Sequence, residues 1–162
     1  MTPSATALQP LGCTHLKLRR LVRDVARWYD DDLRDLGLKG TQYTVLSQVL
    51  RLGPERPGVL ARAMGVDAST LTRNLQPMVE AGWVALVPGT DARSRLVRIT
   101  PAGRALRERA QARWRRSQQR INDTLGIATV IALHALLDEC TERVERAQGL
   151  RPDDPDRRAS PR

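Results

Sequence analysis

The sequence predicts a mostly α-helical protein that contains one small β-hairpin. Three observations lead to this prediction. Apolar residues recur at spacings of three and four along most of the chain, the period changes to that of short strands in one region, and glycine or proline punctuates the periodic segments. The 162 residues are 41% hydrophobic and only 3% aromatic, which suffices for one compact domain with a core of Leu, Val, Ile and Ala.

The first predicted helix follows a short arm. Residues 1–12 contain Pro3 and Pro10 and are expected to form a flexible N-terminal arm. Residues 13–37 then carry apolar side chains on one helical face as far as Gly37, which ends the helix. The members of this face are Leu18, Leu21, Val22, Val25, Tyr29, Leu33 and Leu36. Charged residues take mostly the other positions, as is typical of a solvated face.

Three shorter helices are predicted next. Thr41 is suited to cap the first of them, and Gly53 and Pro54 separate it from the second. Pro57 lies near the first turn of the second helix, where proline is tolerated. Gly65 then begins the turn to the third helix.

The third short helix begins after Asp67, which is placed as its N-cap, and ends at Gly82. Its inward face is expected to carry Leu71, Leu75, Met78 and Val79. Pro77 falls inside this helix, where it removes one backbone donor and clashes with the preceding turn. We therefore expect a kink, or an early weakening of the helix after Asn74.

A β-hairpin is predicted after the third short helix. Residues 83–87 and 96–99 are short β-prone runs, and residues 88–95 between them are rich in turn formers. The loop carries Arg93 and Arg95 and has little apolar content.

Two further helices are predicted over residues 101–148, with a break near residues 124–126. Residues 149–162 are rich in proline and mixed charge and are expected to form a disordered tail. The first and last helices carry apolar stripes, but the whole central unit separates them in sequence. Dimerisation through these terminal helices is the simplest way to bury both stripes.

The composition excludes several classes of protein. A net charge of +9 suits a polyanionic partner, with nucleic acid ahead of an anionic membrane. No apolar run approaches the length of a membrane span and no secretory signal is recognisable, so we expect a cytoplasmic protein without membrane association. Two histidines, and no hydrolase, Walker or metal-enzyme pattern, indicate neither an enzyme nor a cofactor or metal site.

The region after the third short helix resembles a known family. Residues 91–103 (DARSRLVRITPAG) are similar to the wing signature of the MarR family: Asp-x-Arg-Ser, a short strand, and Thr-x-x-Gly at the start of a helix. Residues 67–75 and 80–84 are similar to the family's recognition helix and its exit, and the resemblance covers roughly residues 13–145. It implies a winged helix-turn-helix over residues 38–100, flanked by terminal dimerisation helices.

The resemblance also implies a function. Members of the MarR family are homodimeric regulators of transcription. The leading hypothesis for this chain is a repressor that binds a pseudo-palindromic site in double-stranded DNA. The alternative that stays open is a basic architectural protein that binds DNA without sequence preference. The ordered wing signature argues against that alternative.

Two groups of residues are candidates for contact with DNA. In a helix-turn-helix, the second helix enters the major groove with its N-terminal residues at the base edges. The candidates on that helix are Ser69, Thr70, Thr72, Arg73 and Asn74. Among them, Arg73 is suited to guanine and Asn74 to adenine.

The wing supplies the second group. Arg93 and Arg95 at the hairpin tip are placed to reach a minor groove. The resemblance assigns DNA contact to Arg93 and stabilisation of the wing to Asp91. The arginine-rich stretch 104–120 either extends the phosphate-binding surface or forms a soluble helix face, and both interpretations stay open.

The resemblance further implies release from DNA by a small aromatic or phenolic anion, or by cysteine oxidation. The candidate redox or ligand residues are Cys13, His15, Trp28, Tyr29 and Tyr43. An aromatic residue on a helix is nevertheless more often part of a core.

Three interpretations of the cysteines and histidines compete: a structural role by burial, a redox switch and metal binding. In peroxide-sensing members of the family the reactive cysteine occupies the position of His15, and Cys13 lies two residues earlier, about 200° around the helix. The same spacing prevents Cys13 and His15 from converging on one metal ion. Cys140 and His134 lie on the last predicted helix.

Overall fold

The computed structural model describes residues 11–89 and 94–149 of the protein. Most of the expected N-terminal arm, residues 1–10, and most of the expected tail, residues 150–162, lie outside these residues. Asp91 and Arg93, both predicted site residues, also lie outside them.

Six helices and two strands form the described part of the chain. In order they are α1 (Thr14–Leu33), a 3₁₀ turn (Arg34–Leu36), α2 (Gly40–Leu52), α3 (Pro57–Ala63), α4 (Ala68–Glu80), β1 (Val84–Pro88), β2 (Arg95–Ile99), α5 (Pro101–Leu125) and α6 (Ile127–Ala147). The predicted fold class, mostly α-helical with one β-hairpin, is confirmed. The chain forms two compact units, and the first ends at Ser117, inside α5. The domain boundaries drawn from the sequence stay predictions.

The hydrophobic core of the first unit is built from the apolar positions of the central helices. Each helix contributes residues at spacings of three and four, so one face of each is removed from water. The buried apolar members on α2, α3 and α4 are Tyr43, Val45, Leu46, Val49, Leu60, Ala61, Leu71, Leu75 and Met78. The same cluster also contains Leu33 and Leu38, Val84 and Val97 of the hairpin, and Leu106 and Ala110 of α5. Burial of such side chains stabilises the fold by roughly 1.5–3 kcal/mol for each large one.

The start of α2 differs from the prediction. Thr41 does not cap this helix, because the helix begins at Gly40 and Lys39 is the N-cap residue. The Lys39 backbone N–H donates to Gln42 Oε1 at 2.9 Å, and the Gly40 N–H donates to Asp30 Oδ1 at 2.8 Å. The side chains of Gln42 and Asp30 thus accept from backbone N–H groups at the start of α2, the role that the Thr41 hydroxyl was expected to fill.

The expected weakening of the third short helix after Asn74 is wrong. α4 continues through Pro77 to Glu80, and the Ala81 N–H donates to the Pro77 carbonyl at 3.0 Å. Pro77 is exposed, while Met78 beside it is fully buried. The loss of one backbone hydrogen bond is therefore outweighed by the packing of the helix against the core.

The hairpin is attached to the loop between α2 and α3. β1 and β2 are antiparallel, with Val84 opposite Ile99. A further bridge joins Glu55 to Val97: the Val97 N–H donates to the Glu55 carbonyl at 2.8 Å, and the Glu55 N–H donates back to the Val97 carbonyl at 3.2 Å. The hairpin is thereby fixed to the body of the first unit along β2, which the sequence did not predict.

The terminal helices leave large apolar side chains exposed. α1 exposes Leu16, Leu18, Leu21 and Val22, and α6 of the second unit exposes Ile127, Ile131, Leu136, Leu137 and Val144. Gly126, with φ 78°, separates α5 from α6, as the predicted break required. Among the described helices, none alone is long and apolar enough to cross a membrane, and α5 and α6 reach that composition only when taken together.

Candidate nucleic-acid interface

The first turn of α4 is organised by Asp67. Its backbone is extended, and its carboxylate accepts hydrogen bonds from the Thr70 N–H at 2.7 Å, the Ser69 hydroxyl at 2.6 Å and the Thr70 hydroxyl at 2.8 Å. The Ser69 hydroxyl, followed by the Thr70 N–H and hydroxyl, holds the pKa of Asp67 far below its usual value. The predicted N-cap is thus present, and the carboxylate is ionised at neutral pH.

The other candidates on α4 differ in how freely their side chains are presented. The Thr72 hydroxyl donates to the Ala68 carbonyl at 2.8 Å, and the Asn74 amide donates to the Thr70 carbonyl at 3.0 Å. Asn74 is half-buried, whereas Arg73 is exposed and has no hydrogen bond or ion pair with the residues that the structure describes. Arg73 is therefore the most available donor on this helix.

The wing presents further positive charge. Arg95 opens β2, opposite Pro88, and is exposed. Arg98, three residues along the same strand, is exposed as well, because its neighbour Val97 takes the buried position. The alternation of side chains between the two faces of a strand already indicated that Arg98 is exposed if Val97 is buried. Arg98 was nevertheless not among the predicted site residues.

A tight joint explains the Thr-x-x-Gly part of the wing signature. The Thr100 hydroxyl donates to the Gly82 carbonyl at 2.6 Å and accepts from the Gly103 N–H at 3.0 Å, while the Thr100 N–H donates to the Trp83 carbonyl at 3.1 Å. A Cβ atom at Gly103 would lie 1.9 Å from the Trp83 carbonyl oxygen. Only glycine allows α5 to approach the exit of α4 so closely, and this contact sets the base of the wing.

The arginine-rich stretch of α5 is not a uniform surface. Arg107 donates to Gln111 Oε1 at 3.0 Å and lies over the Tyr43 ring at 5.7 Å from its centroid. Arg113 pairs with Asp35 at 3.1 Å. Arg107 and Arg113 thus hold α5 against α2 and the 3₁₀ turn. The exposed arginines of α5 within the first unit are Arg104, Arg109, Arg115 and Arg116.

A buried polar contact was also missed by the sequence analysis. Ser117 is fully buried, and its hydroxyl donates to the Asp32 carboxylate at 2.6 Å. The charged residues of the first helix were expected on a solvated face, but Asp32 of α1 is half-buried where it meets Ser117 of α5.

A cavity of about 410 Å³ lies between α1, α2 and α5 of the first unit. Its described lining comprises Val22, Val25, Ala26, Tyr29, Asp30, Gly40, Thr41, Thr44 and Trp114. Of the predicted ligand residues, Tyr29 lines this cavity. Tyr43 instead is buried in the core, stacked on Trp114 with ring centroids 5.8 Å apart.

The remaining ligand and redox candidates lie elsewhere. Trp28 is half-buried, with its carbonyl 3.4 Å from the Ser117 hydroxyl, and His15 is exposed near the start of α1. Cys13 and Cys140 are free thiols and both are exposed, so the interpretation of buried structural cysteines does not hold within the single chain. No three acidic, His or Cys side chains among the described residues are grouped as metal ligands.

Comparison with known proteins finds similarity to one family of transcriptional regulators. A family model described as the MarR family matches residues 36–94, from the 3₁₀ turn to the hairpin. The multiple antibiotic resistance protein MarR of Salmonella typhimurium is 33% identical over 88 residues, which are 54% of this chain and 61% of that protein. The chain spans about 61% of the length of the curated relatives that it matches.

Solved structures match over more of the chain. The M. tuberculosis transcriptional regulator MosR in complex with DNA is 33% identical, with a TM-score of 0.67 over 80% of this chain and 98% of that one. A mutant of E. coli MarR in complex with operator DNA is 28% identical, with a TM-score of 0.70 over 82% of this chain and 99% of that one.

Proposed function

The chain belongs to the MarR family, and on that premise we propose that it is a sequence-specific DNA-binding regulator of transcription rather than an enzyme. The observation that carries the proposal is the exposure of Arg73 on α4, together with that of Arg95 and Arg98 on the hairpin that follows this helix in the chain. Guanidinium groups suit both guanine edges and phosphates. Two of the similar solved structures are complexes with DNA, which supports the same conclusion.

The active form is a homodimer. α1 and α6 each leave a stripe of large apolar side chains exposed, including Leu16 at 68% and Ile131 at 63%. Such stripes are unfavourable in water, and a second copy of the chain offers matching ones. A two-fold symmetric dimer places two copies of α4 in successive major grooves, so its site is a pseudo-palindrome with half-sites about one helical turn apart. Occupation of a promoter by this dimer represses transcription in the cytoplasm.

A small ligand bound in the 410 Å³ cavity releases the protein from DNA. The cavity lies against α2, which packs on α4, so a ligand there is placed to shift the recognition helix. Tyr29 and Trp114 supply aromatic walls, and Asp30 is the only charged residue in the described lining. The sequence suggested an aromatic or phenolic anion, but a carboxylate in the wall favours a neutral or cationic aromatic molecule instead.

Cysteine oxidation is the second candidate for release. The specific observation in its favour is that both thiols, Cys13 and Cys140, are exposed and free to react.

Selection of sites from random duplex DNA tests the proposal. Purified protein is used at near-physiological salt, with and without reductant. Enrichment of a pseudo-palindrome is expected, and its loss without reductant would favour oxidation over the ligand cavity. Folded protein that enriches no motif, with similar affinity for all duplexes at every salt concentration, would contradict the proposal and favour an architectural protein.

A further inference from the structure

Two hydroxyl groups at the start of α4 have their protons engaged inside the protein. A hydroxyl group has one proton to donate and two lone pairs with which to accept. The Ser69 oxygen lies 2.6 Å from Asp67 Oδ1, and the Thr70 oxygen lies 2.8 Å from Asp67 Oδ2. The depressed pKa of Asp67 keeps its carboxylate free of protons, so both hydroxyls must be the donors in these bonds.

The hydroxyl of Thr72, about one turn further along α4, also has its proton engaged inside the protein. The Thr72 oxygen lies 2.8 Å from the Ala68 carbonyl oxygen, which can only accept. Ser69 and Thr72 are exposed and Thr70 is partly exposed, so the lone pairs of all three remain available to solvent or to a partner.

These hydroxyls share a face with the most available donor of the helix. Ser69 precedes Thr72 by three residues and Arg73 by four, so the three side chains are neighbours on one side of α4. Ser69 and Arg73 are separated by roughly 6 Å along the helix axis, about two base-pair steps of 3.4 Å.

We propose that α4 offers the major groove only hydrogen-bond acceptors at Ser69, Thr70 and Thr72. Each half-site therefore presents the amino groups of cytosine or adenine to these hydroxyls and a guanine to Arg73, an inference that rests on the proposed function.

The chemistry of the base edges carries this specificity. In the major groove, cytosine N4 and adenine N6 are the donors, whereas guanine N7 and O6 and thymine O4 are acceptors. A hydroxyl whose proton is already engaged can accept a hydrogen bond from cytosine N4 or adenine N6. Against guanine or thymine, its lone pairs face the lone pairs of the base and no hydrogen bond forms. The charge of Asp67 adds to the repulsion of acceptor edges and of phosphate oxygens.

Asp67 is thus a positioning residue that determines specificity through its neighbours. In Asp67→Asn the side chain still caps the helix, because asparagine is an equally good N-cap. Its amide nitrogen replaces Oδ2, however, and donates to Thr70 instead of accepting from it. The Thr70 proton is then free, and this hydroxyl becomes able to donate to guanine or thymine.

The first test replaces single amino groups in the operator obtained by selection. 2-Aminopurine in place of adenine, or N4-methylcytosine in place of cytosine, removes the major-groove donor and keeps base pairing. We expect each replacement opposite a hydroxyl to weaken binding of the full-length protein roughly three- to tenfold. The same replacement outside the half-sites is the control and should change affinity less than twofold.

The second test varies the protein. Ser69→Ala, Thr70→Val and Thr72→Val should each abolish sensitivity to one amino-group replacement. Thr141→Val is the matched control, because Thr141 makes the same type of bond to the Leu137 carbonyl but lies on α6. Asp67→Asn should admit guanine or thymine at one position of the selected site, a change that a purely structural role for Asp67 would not produce.

The outcomes separate this inference from the function on which it rests. Sequence-specific binding that depends on the amino groups supports it. Sequence-specific binding with guanine or thymine opposite the hydroxyls, or with no response to the analogues, overturns the inference and leaves the regulator intact. Folded protein that prefers no sequence overturns both.

Discussion

Replacement of Gly103 by alanine tests the joint that holds the wing to α5. The new Cβ atom would lie 1.9 Å from the Trp83 carbonyl oxygen, and a normal carbon–oxygen contact needs a separation larger by more than ~1 Å. The helix must therefore move away from Trp83, which disturbs the hydrogen bonds that Thr100 makes at 2.6 and 3.1 Å.

The cost of this substitution has two parts. Overpacking costs roughly 1–3 kcal/mol, and two weakened hydrogen bonds cost roughly 1–2 kcal/mol together. The higher helix propensity of alanine offsets about 0.5–1 kcal/mol. The free energy of unfolding should fall by about 1–4 kcal/mol, which lowers the Tm by roughly 3–15 °C for a protein of this size.

Thermal unfolding followed by far-UV circular dichroism, at one fixed protein concentration, measures the effect. Gly58→Ala is the matched control: Gly58 lies in α3, and a Cβ added there meets nothing within 4 Å beyond its chain neighbours and the backbone of its own helix. This variant should be as stable as the parent or more stable by about 0.5–1 kcal/mol. A Gly103→Ala protein whose Tm lies within 2 °C of the parent, on the order of the scatter expected of a neutral surface change, would refute the reasoning.

Four other outcomes are expected. Ser117→Ala removes the donor to the Asp32 carboxylate and should destabilise the protein by about 1–2 kcal/mol in urea unfolding; an unchanged midpoint would contradict a stabilising role for this bond. The Asp67 carboxyl should titrate well below ~3.9 in ¹³C NMR, so the contribution of the cap is complete above about pH 4 and is lost only as the pH falls through the lower folded-state pKa; a midpoint near 4 would count against the cap geometry. Arg93→Ala should weaken operator binding in a mobility-shift titration and leave the molecular mass of the protein in solution unchanged; normal affinity would remove the wing from the proposed interface. Cys13→Ser should bind the operator normally under reducing conditions, and a loss of binding there would assign Cys13 a role beyond redox chemistry.

The sequence predicted α4 and the hairpin because their signals are local. Asp67 as N-cap depends on residues within one turn, and the hairpin depends on a change of period between adjacent segments. The spacing of Leu71, Leu75 and Met78 correctly indicated which face of α4 is buried. In each case the interacting groups lie within a few residues of one another, so a pattern in the chain is sufficient.

Contacts between distant segments could not be predicted in this way. The pairing of Ser117 with Asp32 spans 85 residues, and that of Arg113 with Asp35 spans 78. A charged residue on an amphipathic helix is compatible with solvent or with a partner, and only the packing of α1 against α5 decides between them. The sequence likewise left Tyr43 open as a core residue or a ligand residue, and its stacking on Trp114 decides for the core.

Equilibrium binding to the selected pseudo-palindrome and to a scrambled duplex of equal length tests the central claim most directly. Both titrations are made over a range of salt concentrations with the reduced protein. A sequence-specific regulator should prefer the palindrome by roughly a thousandfold or more at physiological salt, with the preference surviving where nonspecific binding has been lost. Equal affinities for the two duplexes at every salt concentration would contradict the account.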